Sequence, residues 1–392
     1  MIVLKDVDEM KHVDSPSSRL PLRIAFIGPW NYSNGQGVGA RGYLSALWHT
    51  HHALSIHPIH PPFHVHARLT PSCDVGAFTG PADVAIVDLN PDGWEMFLSD
   101  AQRRIVDEAR ARIGLFVWEM DEVPESWMPV VNRVDAIWTP SRFCADVLAR
   151  RTDRRVEVIP HVVPVPPEPL DGPSPALATE GRRSILYAFD GASYLARKRP
   201  MALVEAFALS GLGARGWQLV LKTKNLADSP EPAAALIAAV AGDPSVTLIT
   251  KPLPGEQMAK LLDRADIYAS PHCSEGFGLT IAEAMARGKV VVATDYGGSR
   301  DFLDDSCGFP VSGPLVQLEQ DHGPYSRGRV WCEVSIPDLS HALLRAAALV
   351  DAGDRTLGSR ARARVAERLS PWAVADQMDA SLSRVARAGL RV

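Results

Sequence analysis

At 392 residues the chain is too long for one ordinary hydrophobic core, and its length fits two domains. Hydrophobic residues make up 46% and charged residues 22%, the balance of a folded globular protein. The net charge of −5 argues against a general nucleic-acid binder, while leaving room for a local basic pocket for phosphate.

The opening stretch "MIVLKDVDEMKHVDSPSSRL" has acidic residues and no apolar core of a signal peptide, so residues 1–20 are expected to be a polar arm. From Arg23 onward short apolar runs alternate with helical stretches. "RIAFIG" reads as a strand, then a Gly-rich loop, then a helix through "ARGYLSALWH". Gly37-Val-Gly39-Ala-Arg-Gly42 is a literal G-x-G-x-x-G, which raises a nicotinamide-dependent oxidoreductase as a reading. Two features count against it. The glycines follow an extended "PWNYSNGQ" loop, and some twenty residues on "IHPIHPPF" offers no acidic residue for a ribose.

The histidine-rich "HTHHALSIHPIHPPFHVHARL" invites a metal site, with His64 and His66 alternating onto one face of a strand. It lacks an identifiable ligand spacing or second shell, so no metal is expected and an acceptor-facing loop is the milder reading. "ADVAIVDL", "RIGLFVWE" and "VDAIWTPS" are further strands, completing a parallel α/β domain over residues 21–165. Prolines and glycines in "IPHVVPVPPEPLDGPSPALATEG" then break the rhythm, and residues 166–182 are expected to be a hinge, with His161 beside it on the acceptor side.

A second series follows over residues 183–370: "RRSILYAFD", "WQLVLKT", "SVTLIT", "DIYASP" and "KVVVAT" as strands, separated by helices such as "PMALVEAFAL". In "YAFDGASYLARKRPMALVEAF" a strand leads to Arg197-Lys198-Arg199 and a helix opening with Pro200, a cationic setting suited to a diphosphate. In "HCSEGFGLTIAEAMARG" a strand leads to Gly276 and Gly278, where a ligand approaches the backbone closely. The helix from Leu279 ends at Gly288 and points its first-turn amides into that loop as an anion site. Glu275 lies in the loop and Glu283 about one turn into the helix, two carboxylates suited to sugar or ribose hydroxyls. The alternative is that Glu275 caps the helix and Glu283 meets solvent.

The stretch from Val311 to Ile336 carries Pro, Gly and two aromatics, Tyr325 and Trp331, and receives no assignment. The tail is helical, and residues 371–392 are expected to return to the first domain. Its second helix carries Arg355, Arg360, Arg362, Arg364 and Arg368; a solvated charged face outweighs peripheral contact with an anionic membrane. Cys73, Cys144, Cys273, Cys307 and Cys332 are widely spaced with no CxxC pair, which fits reduced thiols in the cytoplasm. No apolar run approaches the ~20 residues needed to span a bilayer.

"E-G-F-G-L-T-I-A-E" resembles the E-x7-E motif of the family-four retaining glycosyltransferases, and the resemblance is strongest from Ile185 to Arg300. It implies the GT-B architecture: α/β, with two doubly wound Rossmann-like domains facing a cleft and a C-terminal helix packing back on the first. By the resemblance Glu275 holds the transferred sugar, and Glu283 the nucleotide ribose. Gly276, Phe277, Gly278, Leu279 and Thr280 meet the donor's sugar and diphosphate, while Lys198 is the diphosphate lysine. Many members carry Gly-Arg after the strand where this chain has Asp190-Gly191, so Arg197 is taken as the second phosphate contact. The R-K-x-P loop resembles that of a bacterial subgroup.

Gly37 is expected in a loop facing the donor phosphates, Lys222 and His272 in the donor pocket, and Asp266 in a structural role; for His272 and His161 the alternative is a hydrogen-bonded interior histidine. Many relatives have a histidine where this chain has Trp118-Glu119; Glu119 is the candidate to orient the acceptor hydroxyl, and an inert structural pair is the alternative. The implied activity is transfer of a hexose from a nucleoside diphosphate sugar to a sugar, lipid-linked or small-molecule acceptor with retention. No cofactor, obligatory metal or nucleic acid is expected, and residence is cytoplasmic or at the inner face of the membrane. The rival readings are an epimerase or phosphorylase on the same fold, and a degenerate sugar-nucleotide-binding protein.

Overall fold

The computed structural model describes residues 20–32, 34–59, 78, 80–167 and 182–389. The polar arm up to residue 19, Cys73, His64 and His66, and all but the ends of the expected hinge lie outside the described residues.

The chain divides into two units. The first is a six-stranded sheet in the order β2-β1-β3-β4-β5-β6, made of β1 (Arg23–Gly28), β2 (Ala53–Pro58), β3 (Val84–Asp88), β4 (Ala111–Leu115), β5 (Ala136–Thr139) and β6 (Arg155–Val158). Every pairing is parallel. The central strands are buried on both faces, as continuous apolar runs such as "VAIVD" require of a covered parallel sheet. Both edge strands escaped the sequence reading. β6, "RVEV", is half-exposed and charged, and β2 lies inside the histidine-rich run, so neither carries the apolar signature of a central strand.

The last helix, Pro371–Gly389, packs back on this unit as expected. Val374, Met378, Leu382 and Val385 join the core formed by Phe26, Ile86, Ile113 and Trp138, at the spacing of one helical face. Within that contact the Trp138 indole N–H donates to Ser381 Oγ at 2.8 Å, both residues being fully buried.

The second unit comprises the remaining described residues to Ser370 together with Trp118–Glu122. Its sheet contains β7 (Ser184–Asp190), β8 (Gln218–Lys224), β9 (Val246–Ile249), β10 (Ile267–Ser270), β11 (Val290–Thr294) and β12 (Phe309–Val311), in the order β12-β11-β10-β7-β8-β9. This is the doubly wound Rossmann order, and its direction of winding reverses between β7 and β10. In sheets of this order ligands bind beyond the carboxyl ends of the strands at that switch point. An antiparallel hairpin, β13 (Leu315–Gln317) with β14 (Val330–Cys332), occupies the stretch left unassigned from sequence.

The arginine-rich helix Thr356–Leu369 belongs to this unit. Arg362 donates to the Ala286 carbonyl at 2.7 Å, Arg364 pairs with Asp304, and Arg368 donates to the Asp301 carbonyl at 3.3 Å. Three of the five arginines are therefore spent inside the unit. No helix among the described residues is long and apolar enough to cross a membrane.

Removing the Ser381 hydroxyl leaves a buried indole N–H without its acceptor. Ser381→Ala is expected to destabilise the first unit by about 1–3 kcal/mol, read as a shift in the urea midpoint of that unit's own transition. An unchanged midpoint contradicts the described docking of the terminal helix.

Candidate functional site

The site is built from two loops of the second unit. The first leaves β7 at Asp190, whose carboxylate accepts from the Ala192 amide at 3.0 Å and from Asn225 Nδ2 at 2.8 Å and pairs with Lys224 at 3.3 Å. The loop then passes through Tyr194 at φ +63°, a four-residue helical turn Leu195–Lys198, and Arg199 at φ +47° before the helix Pro200–Ser210. Positive φ at the non-glycine residues Tyr194 and Arg199 brackets Arg197 and Lys198 and is sparsely populated backbone. The second loop leaves β10 and carries His272 to Gly278, with Gly278 at φ +92° opening the helix Leu279–Ala286. The first-turn amides of that helix lie outside its own i→i−4 ladder.

The two loops meet around Glu275. Lys198 Nζ donates to Glu275 Oε1, and Arg197 lies 3.4 Å from the other carboxylate oxygen. Arg197 also donates to the Ser274 carbonyl at 2.8 Å and stands 3.9 Å from Glu119. The Cys273 amide donates to the Arg197 carbonyl at 2.7 Å, and Ser274 Oγ donates to the Glu119 carbonyl. Charges of alternating sign, Glu119, Arg197, Glu275 and Lys198, thus form a chain. Burial pushes the Glu275 carboxyl up, but Lys198 and Arg197 outweigh it and hold the group at about 2. Burial lowers Lys198, with Glu275 opposing. Desolvation also works against the Arg197 charge, yet its neighbours Tyr325, Glu275 and Glu119 raise it overall.

Glu283 is different. It is half-buried, and burial raises its carboxyl, opposed by Arg287. Arg287 itself is turned to the Glu283 backbone carbonyl at 3.2 Å and to Asp263 at 3.1 Å.

Several expected residues prove to be interior. His272 is fully buried; its Nε2–H donates to the Tyr296 carbonyl at 3.1 Å, so Nδ1 accepts from Ser270 Oγ at 3.0 Å, and burial lowers its pKa to about 4. Lys222 donates to the Thr223 carbonyl at 2.7 Å, and burial lowers it to about 8. Phe277 packs on Phe302 with ring centroids 5.0 Å apart, and Thr280 Oγ1 accepts from the Tyr268 hydroxyl at 2.7 Å. Asp266 accepts from the Ser184 amide at 2.8 Å.

Gly37, in the first unit, is not in a loop. The helix begins at Gly35, because Asn34 caps it by accepting from the Gly37 amide at 2.9 Å. A Cβ on Gly37 would lie 2.0 Å from the Tyr32 carbonyl oxygen, and one on Gly39 would lie 2.9 Å from the His161 ring. The glycines of the G-x-G-x-x-G pattern therefore serve close packing. His161 is half-buried against Gly39 and beside Tyr43, with ring centroids 5.2 Å apart, and burial lowers it to about 4.

Within the histidine-rich run, His51, His52 and Asp379 bring ligand atoms within 4.8 Å of one another. His52 Nδ1 accepts from the Leu22 amide at 3.2 Å, so its proton sits on Nε2, which faces Asp379 at 3.0 Å. The pair ties this run to the terminal helix Pro371–Gly389.

Three features of the site were missed. Gly297 and Gly298 lie under the Glu275 loop: the Gly298 amide donates to the Glu275 carbonyl at 2.7 Å, and a Cβ on Gly298 would meet the Gly276 carbonyl oxygen at 2.2 Å. The double glycine after a strand was the available signal. Ser274 had none. Tyr325 reaches the site from the hairpin, with its ring 5.6 Å from the Arg197 guanidinium and its hydroxyl donating to Glu119 at 3.3 Å.

Residues 187–321 match the family described as glycosyl transferases group 1, a segment that contains Arg197, Lys198, Glu275 and Glu283. A sucrose synthase of Melioribacter roseus is 40% identical over 73 residues, 18% of this chain and 9% of that protein. A D-inositol 3-phosphate glycosyltransferase of Nocardia farcinica is 27% identical over 217 residues, 54% of this chain and 44% of that protein. The match thus spans less than half the length of either curated relative. Among solved structures, a glycosyltransferase from Rickettsia africae aligns with a TM-score of 0.67 and 15% identity, covering 94% of this chain and 99% of the other. An Anabaena protein in complex with UDP-glucose aligns with a TM-score of 0.63 and 14% identity, covering 93% and 100%. At these identities the likeness is one of fold, the paired Rossmann-like domains of GT-B glycosyltransferases.

Because Glu275 is held at about 2, below the ordinary carboxylate range, its ion pairs contribute stability that is complete above about pH 4.5 and is lost as pH falls towards 2. The contribution is about 3 kcal/mol. Glu275→Gln is expected to be less stable at neutral pH and to show a flatter fall in stability between pH 5 and about 2 by urea titration at each pH. A variant with the wild-type pH profile contradicts the pairing.

Proposed function

We propose that the chain is a retaining glycosyltransferase that moves a hexose from a nucleoside diphosphate sugar to an acceptor hydroxyl. The observation that carries this reading is the gathering of Lys198 and Arg197 around Glu275, at the carboxyl ends of β7 and β10. The match of residues 187–321 to group 1 glycosyl transferases supports it, as does the fold shared with a protein that holds UDP-glucose.

In the proposed reaction negative charge grows on the departing diphosphate. Lys198 and the first-turn amides of Leu279–Ala286 supply positive potential where it appears. Lys198 takes up that role by exchanging partners: its ammonium leaves Glu275 for a phosphate oxygen, and Glu275 accepts from sugar hydroxyls instead. Arg197 remains on the Ser274 carbonyl and keeps Glu275 ionised through the exchange. Glu283 accepts from the ribose hydroxyls. The departing phosphate oxygen takes the acceptor's proton, so the reaction needs no histidine base, and Glu119 orients the acceptor hydroxyl. With the mobile Lys198 ammonium and the amide row facing the diphosphate, turnover needs no divalent metal. The acceptor is a sugar, a lipid-linked sugar or a small molecule. A second reading, a donor-binding protein without turnover, is favoured by one observation: Arg197 is 3% exposed and spent on internal partners.

The test is calorimetry with UDP-glucose, UDP-N-acetylglucosamine, GDP-mannose and dTDP-sugars, with NAD as the control and with EDTA present and absent. One donor is expected to bind irrespective of EDTA. Lys198→Ala is expected to weaken it about 10–100-fold and Glu283→Ala about tenfold. Slow donor hydrolysis separates a transferase from a mere binder. Absence of sugar-nucleotide binding, or unchanged affinity in both variants, contradicts the reading.

A further inference from the structure

The hairpin β13–β14 lies at and just beyond the end of the segment that matches the family, and it touches the cation loop at three points. At its tip Gly323 receives the Tyr194 ring so closely that a Cβ there would lie 2.0 Å from the ring. Tyr325 meets Tyr194 edge-on, with centroids 5.4 Å apart. At its exit the Val334 carbonyl accepts from Arg199 at 2.8 Å, and Glu333 stands 3.8 Å from the same guanidinium. Tyr194 and Arg199 are the two positive-φ residues that bracket the loop. Such backbone costs on the order of 1–3 kcal/mol per residue and persists only where its surroundings over-determine it. The hairpin holds both ends of the strained turn.

Between those ends, buried Tyr325 lies against the Arg197 guanidinium and donates its hydroxyl to Glu119, the carboxylate facing the same guanidinium. The hairpin is itself anchored on the segment that supplies Glu119: the Val330 amide donates to Asp121 at 3.0 Å, Arg329 pairs with Glu122, and Trp118 packs on Tyr325 at 5.7 Å. Besides the Ser274 carbonyl and Glu275, the partners described for the Arg197 guanidinium are Tyr325 and Glu119, to which Tyr325 donates.

We propose that this hairpin is a clamp that presets the cation loop for its anion, with Tyr325 as the positioning residue of Arg197. The inference deepens the donor-binding reading and rests on it for its functional meaning. Tyr325 acts through Arg197: with the guanidinium fixed on the Ser274 carbonyl and Glu275, Lys198 is the group released to the diphosphate. A donor site preorganised in this way pays no ordering cost when the ligand arrives.

Two readouts test it, one of them independent of any ligand. Arginine side-chain NMR follows rotation of the Arg197 guanidinium, assigned by its loss in Arg197→Lys. Wild type is expected to show slow rotation with resolved Nη signals. Tyr325→Leu should average them, and Tyr325→Phe, which keeps the ring, should largely preserve them. UDP affinity by calorimetry is expected to fall about tenfold in Tyr325→Leu and about threefold or less in Tyr325→Phe. Should Tyr325→Leu fail to fold, Gly323→Ala, which pushes on Tyr194 from the hairpin tip, is expected to speed Arg197 rotation in the same way. Arg197 rotation unchanged in the folded variants overturns the clamp. If wild type binds neither UDP nor any sugar nucleotide, the donor reading fails, while the rotation measurement still decides whether Tyr325 positions Arg197.

Discussion

The ion-paired carboxylate of Glu275 is the constraint on which the site of the second unit depends. Two cations on one loop and one carboxylate on another, Arg197 buried and Lys198 and Glu275 largely withdrawn from water, gather where the sheet reverses its winding. Removing such groups from water costs several kcal/mol per ion, and well-packed apolar residues would serve stability at least as well. The arrangement is thus poorly explained as a stabilising device. It makes better sense as a store of charge that a ligand rearranges. Around it the backbone bears the remaining costs: positive φ at Tyr194 and Arg199, and backbone contact at Gly298 too close for any side chain.

Fold and chemistry are coupled through the sheet order. β7 and β10 are adjacent in the sheet but far apart in sequence, so the residues that follow them meet although 77 positions separate Lys198 from Glu275. The first residue after each strand has little freedom, and the loops inherit the strands' direction. That is how a short cationic turn and a glycine-flanked glutamate come within hydrogen-bonding distance without a long lever of flexible chain. Trp118–Glu122 adds Glu119 to the same cluster, and the hairpin completes it with Tyr325.

Much of this was legible in the sequence, and the reasons are physical. Central strands such as "VAIVD" and "SILYAFD" are buried on both faces and announce themselves as apolar runs, whereas β2 and β6 at the sheet edge are half-polar and do not. Glu275 and Glu283 stood out because carboxylates beside glycines and apolar neighbours are unusual, and Lys198 because three consecutive cations precede a helix opened by Pro200. The inward turn of Arg197 was not legible, since it depends on Ser274 and Glu119, which are distant in sequence. At Gly37 the sequence showed a glycine but not the helix that holds it: Asn34 caps that helix, and the Tyr32 carbonyl stands where a Cβ would lie. Tyr325 was noticed as an aromatic but had no assignable partner, because an antiparallel hairpin inserted after a parallel strand follows none of the α/β spacing rules.

The measurement that bears most directly on the central claim is a crystal structure of the protein with a bound nucleoside diphosphate. The account predicts a phosphate oxygen within hydrogen-bonding distance of Lys198 Nζ and of the amides that open the helix Leu279–Ala286, the ribose hydroxyls on Glu283, and Glu275 released from Lys198 while Arg197 stays on the Ser274 carbonyl. A nucleotide bound elsewhere, with the Lys198–Glu275 pair intact, would contradict it.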